Sequence, residues 1–130
     1  METRFRSDLI QWLRDDVTLA AGLNAIEEES PLTASPPWLG LSASAAIDWG
    51  AKGAPGREVR VALELIDRQQ DSSATADFAA AIETRIATMP ATQDGYRVVV
   101  TQFLRSRAER RANNLRAVLL EYRFRLLANP

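Results

Sequence analysis

The sequence contains no cysteine and no histidine, and its only lysine is Lys52. Each absence closes a class of chemistry. Without cysteine there is no disulfide and no thiolate nucleophile. Without histidine there is no imidazole base, no Ser-His-Asp or Cys-His hydrolase, and none of the usual imidazole sites for zinc or iron. Catalysis would fall to carboxylates, arginine, tyrosine or the lone lysine. The chain is therefore read as a non-enzyme, with no cofactor and no metal. Long apolar runs are missing as well. Nothing approaches the roughly 20 apolar residues of a membrane span. The opening stretch METRFRSDLI lacks a signal peptide's apolar centre. The expected setting is the cytoplasm, with no membrane contact.

What is present is an ordinary globular composition, 46% hydrophobic and 25% charged over 130 residues. That length predicts one domain, residues 1–130, burying roughly two thirds of the unfolded chain's surface. Alanine is abundant and the basic residues other than Lys52 are all arginine, a pattern typical of GC-rich coding. The charge is unevenly spread. Residues 1–93 hold 8 basic and 14 acidic side chains, a net of −6, while residues 94–130 hold 8 and 3, a net of +5. Such a split suits a nucleic-acid surface, or a subunit whose acidic side meets the basic side of a neighbour in a ring.

The stretch Asp48–Arg68 organises the chain. Gly50, Gly53, Pro55 and Gly56 make Asp48–Gly56 a loop. From Arg57 to Arg68 the sequence alternates, with Val59, Val61, Leu63 and Leu65 on one face. Glu58, Arg60, Ala62 and Glu64 fall on the other, toward water or a partner. That period predicts a strand with one face on a core. The weakly alternating Trp38–Ile47 pairs with it as a long hairpin. A helix is predicted over Arg4–Asp15 from the spacing of Phe5, Leu9, Trp12 and Leu13, with Trp12 in the core. A short second helix follows over Val17–Leu23. The segment Ala25–Ser30 fits a short exposed strand or an extended connection. Ser72 or Ser73 is expected to cap an amphipathic helix, Ala74–Met89, that buries Phe78, Ile82, Ile86 and Met89. Asp94-Gly95 is a turn, Tyr96–Leu104 a strand, Arg105–Asn114 a polar turn, and Leu115–Leu127 the last strand. The predicted fold class is α+β: an antiparallel sheet of about four strands with a long hairpin, and one main amphipathic helix and an N-terminal helix packed on one face.

Candidate sites are few. Glu27 with Glu29 is a weak carboxylate pair. The loop Asp48–Gly56 lacks GxGxxG and leads into no helix, so it is not a phosphate cradle. It reads as a mobile loop or one ordered by a partner subunit, with Trp49 and Lys52 as its contact residues and Arg57 and Arg60 beside it. The run RSRAERR brings Arg105, Arg107, Arg110 and Arg111 together, for DNA, a neighbouring subunit, or plain solvation. No aromatic residue interleaves these arginines, against a single-strand stacking platform.

The order of these elements resembles the phage tail-completion (tail terminator) family, found in tailed phages and in the gene transfer agents of bacteria. The residues that carry the likeness are Pro36-Pro37-Trp38, Asp48-Trp49 and Gly56-Arg57-Glu58 with its alternating strand. The helix Ala74–Met89, the turn at Asp94-Gly95-Tyr96 and the strand Arg97–Leu104 continue it in sequence. The resemblance implies a structural protein with no catalytic residues. Family members assemble as a ring, typically a hexamer, on the head-proximal end of a finished tail tube. The ring stops tube growth and docks the head connector, and DNA passes through its lumen without sequence-specific binding. The implied partners are further copies of the chain, the tail tube protein and the head–tail connector protein. The implied location is the bacterial cytoplasm during assembly, then the released particle. Two alternatives from other classes are a small nucleic-acid-binding α+β domain that uses Arg105–Arg111, and a ligand-binding or isomerase-like dimer with a deep polar pocket.

Overall fold

A computed structural model describes residues 1–29, 33–68 and 72–129. Two helices open the chain, α1 (Glu2–Arg14) and α2 (Val17–Gly22). Asp16 caps α2, its carboxylate accepting from the Leu19 amide at 3.0 Å. Then follow β1 (Ile26–Glu27), β2 (Trp38–Asp48), β3 (Gly56–Asp67), α3 (Ser72–Ala87), β4 (Tyr96–Arg111) and β5 (Leu115–Ala128). The sheet runs β1-β2-β3-β5-β4. The three junctions among the four long strands are antiparallel, whereas β1 lies parallel to β2, with Ile26 opposite Leu39.

The helices cover one face. Phe5, Leu9 and Leu13 of α1 and Ile82 and Ile86 of α3 are fully buried there. They pack on Val59, Val61, Leu63 and Leu65 of β3 and on Leu120, Tyr122, Phe124 and Leu126 of β5. Phe78 and Met89 are only partly buried at the border. Thus the alternation in β3 reports the core face correctly.

Several expectations need correction. The sheet has five strands and is mixed, because part of the ambiguous Ala25–Ser30 segment becomes β1. Arg105–Asn114 is not a turn. β4 continues to Arg111, and only residues 112–114 reverse the chain. The signal lies in Asn113 and Asn114, both at positive φ (63° and 60°), with the Leu115 amide donating to the Ala112 carbonyl at 3.4 Å. A two-residue turn with both central φ positive matches the twist of the strands it joins, and asparagine tolerates that region. Trp12 is half-buried at the edge of the core, not within it. Its indole N–H donates to the Arg85 carbonyl at 2.7 Å, and the Arg85 guanidinium lies 3.3 Å over its ring. The helix begins at Ser72, so Ser72 and Ser73 lie inside it. The expected strand end after Arg68 falls partly on residues 69–71, outside the described residues.

Candidate assembly surface

The segment Asp48–Gly56 is the tip of the β2–β3 hairpin and is closed by backbone hydrogen bonds. Trp49 N–H donates to the Gly56 carbonyl at 3.2 Å, and Ala51 and Ala54 exchange two hydrogen bonds of 2.9 Å. Gly53 takes φ 78°, which closes the turn at negligible steric cost. Gly56 is required by space, since a Cβ there would stand 2.6 Å from the Leu126 carbonyl oxygen. The Pro55 carbonyl accepts from Ala128 N–H at 2.8 Å, tying the tip to the end of β5. Lys52 is exposed at the apex. Trp49 is half-buried, with the Arg125 guanidinium 5.1 Å from its ring. Arg57 bridges Asp48 (3.4 Å) and Glu2 of α1 (3.7 Å), fastening the tip to the first helix.

The sheet face away from the helices, read as turned toward water or a partner, carries buried carboxylates. Glu58 and Glu64 keep only 7% and 9% of their surface exposed. Glu58 sits among Arg125 (3.1 Å), Arg123 (3.8 Å) and Arg60 (3.9 Å). Glu64 pairs with Arg111 at 2.9 Å, and Arg111 also holds Glu109 at 2.8 Å. Arg105 engages Glu121 across the strands, and Arg123 donates to Gln102. Long arginine stems lie along the sheet and exclude water from the glutamates they neutralise. Hydrogen bonds from Arg105 and Arg111 hold the Glu121 and Glu109 carboxyls below their usual range. The same bonds raise the two guanidinium groups. The glutamates Glu58 and Glu64 were visible in the sequence, but Arg111, Arg123 and Arg125 stand far along the chain, 67 residues away in the case of Glu58 and Arg125.

The arginine cluster does not act as one patch. Register places Arg105, Arg107 and Arg111 on the open face and Arg110 on the helix side. Arg105 and Arg111 are committed to glutamates. Arg107 and Arg110 form no ion pair among the described residues, and they point to opposite faces. Arg60 is exposed beside Glu58. Trp49 and Arg60 therefore join the Glu58 node, Lys52 has no ion pair among the described residues, and Arg57 serves the tip.

Other chemistry is sparse. Glu27 and Glu29 are both exposed, and no group of three or more acidic side chains able to hold a metal stands among the described residues. A cleft of about 320 Å³ opens between the start of α3 and the β4–β5 hairpin. Its Thr75 hydroxyl donates to buried Asp67 at 3.0 Å and its Glu109 accepts from Arg111, while Arg110 and Arg116 line its rim. No described helix is long and apolar enough to cross a membrane.

The family model described as tail completion protein gp17 matches residues 7–127. Among solved structures, a chain from the virion of a native gene transfer agent particle superposes with a TM-score of 0.81 at 22% identity, over 95% of this chain and 94% of that one. The curated proteins contain no match.

Proposed function

The chain belongs to the tail completion protein gp17 family, and from that premise we propose that it is a non-catalytic structural component of a phage-like particle. Copies of it form a ring on the head-proximal end of the finished tail tube. The ring halts tube growth and docks the head–tail connector, and DNA passes through its lumen without base recognition. The protein assembles in the bacterial cytoplasm and leaves in the particle. The observation that carries this reading is the family match over nearly the whole chain. The likeness in fold to a chain of a gene transfer agent virion supports it. So does a surface whose polar groups largely satisfy one another instead of converging on a ligand.

Trp49, Lys52, Arg57 and Arg60 are the proposed tube or subunit contacts, and Arg105, Arg107, Arg110 and Arg111 the proposed lumen or subunit contacts. The nucleic-acid-binding alternative is weakened by geometry, because Arg107 and Arg110, which have no ion pair among the described residues, face opposite ways. Deleting the gene in a producing strain and imaging the lysate tests the role. Overlong tails without heads are the expected result. Tails of normal length joined to heads would overturn it.

A further inference from the structure

The two lateral edges of the sheet are unprotected at the same height. Past Gly40 the outer edge of β2 has no strand partner among the described residues, and past Val98 neither has β4. Soluble proteins normally guard such edges with charge or proline, because unpaired N–H and C=O groups template another strand. Here Val99–Leu104 holds no charged residue, and Ser42–Asp48 holds only its last one. Six large apolar side chains are exposed among the described residues, and four lie on these edges: Ile47 (61%), Val99 (44%), Phe103 (43%) and Leu104 (38%).

The register links the edges across the sheet. Ile47 lies opposite Glu58, Glu58 opposite Arg125, and Arg125 opposite Val100. Ser44 lies opposite Val61, Val61 opposite Tyr122, and Tyr122 opposite Phe103. So Ile47 stands level with Val100, and Ser44 level with Phe103. The small residues Ala43, Ser44 and Ala45 on one edge match the bulky Phe103 and Leu104 on the other. β2 and β4 also run in opposite directions, since three antiparallel junctions separate them.

We propose that the β2 edge of one copy pairs antiparallel with the β4 edge of the next. A copy placed alongside by rotation about an axis parallel to the strands sets Phe103 against the small Ser44 and Ile47 against Val100, and continues the alternation of strand direction. Such a contact is head-to-tail, the kind that closes into a ring. Self-pairing of two β4 edges would set Phe103 against Phe103 near the join, and self-pairing of two β2 edges would set small residues against small. The proposal rests on the ring reading above and names its subunit contact.

The absence of cysteine makes a direct test available. The Ser44→Cys and Phe103→Cys chains are mixed at high concentration and treated with a short bismaleimide, with Ile47→Cys and Val100→Cys as a second pair. Circular dichroism confirms that each variant is folded. Cross-linking in each mixture but not in either chain alone is expected, with a ladder of higher species from the double variants. Ser44→Lys should abolish the oligomer in native mass spectrometry without changing the melting temperature. Cross-linked dimers from either Ser44→Cys or Phe103→Cys alone would overturn the pairing. An oligomer that forms without these cross-links would overturn it while leaving the ring standing. A chain that stays monomeric at all concentrations would overturn it as a self-contact, while the deletion phenotype still reports separately on the role in the particle.

Discussion

Leu63 and Glu64 are neighbours in β3 and both are buried, yet they are buried by different means. Leu63 points under α1 and α3 into a continuous apolar core, where removal from water stabilises it without regard to direction. Glu64 points the opposite way, to a face with no helix over it, and is shielded by the Arg111 side chain. Glu58 repeats this with three arginines around it. One face is held by packing and resists any change of volume. The other is held by a lattice of charge pairs. It contributes modestly to stability and leaves a polar surface suited to a partner or a wet channel.

The largest contrast should come from cutting the two faces at one strand. Leu63→Ala should destabilise the fold by about 3–4 kcal/mol through lost transfer and a residual cavity. In urea this appears as a lower midpoint with an unchanged slope. Glu58→Gln should cost less, about 1–2 kcal/mol, because the arginines it leaves can turn to water. A Glu58 variant as damaging as the Leu63 variant would show that the open face is a second core.

A smaller effect separates the faces by pH. The Glu121 carboxyl is held below its ordinary 4.5 first by the Arg105 hydrogen bond. A depressed carboxyl contributes stability above its unfolded value and loses it as pH falls through the lower folded one. The melting temperature should therefore drop below about pH 4.5. It should drop less steeply in Arg105→Gln, while Leu63→Ala keeps the wild-type acid slope. Equal slopes in wild type and Arg105→Gln would remove Glu121 from the acid response.

The smallest change is expected at Arg107, whose side chain is exposed and has no ion pair among the described residues. Arg107→Ala should shift stability by less than about 0.5 kcal/mol in the same urea series. A larger loss would place Arg107 within the charge lattice.

Much of the fold was legible because periodicity is a local property. Alternation over Val59, Val61, Leu63 and Leu65 marks the core face wherever the strand ends up, and the spacing of Ile82 and Ile86 does the same for α3. The missing cysteine and histidine closed off most catalytic chemistry before any fold was known. The length of β4 was misread because its second half carries charge where strands usually carry apolar residues, and the Asn113-Asn114 turn is a weaker signal than Asn-Gly. The closing hydrogen bonds of the hairpin tip were not legible because they join backbone groups, which composition does not reveal.

Partners are another matter. Pairing between strands is set by contacts between residues far apart in the chain. No local pattern says that Glu58 meets Arg123 and Arg125, or that β5 inserts between β3 and β4. Residue types and their spacing determine which side of each strand avoids water. The tertiary arrangement alone buries Glu58 and Glu64 beneath arginines, splits the cluster Arg105–Arg111 between two faces, and sets the uncharged edge stretches Ser42–Ile47 and Val99–Leu104 level with each other. Burial preference belongs to single residues. Neutralising a buried charge or completing a sheet edge needs a second group, whose position the fold must supply.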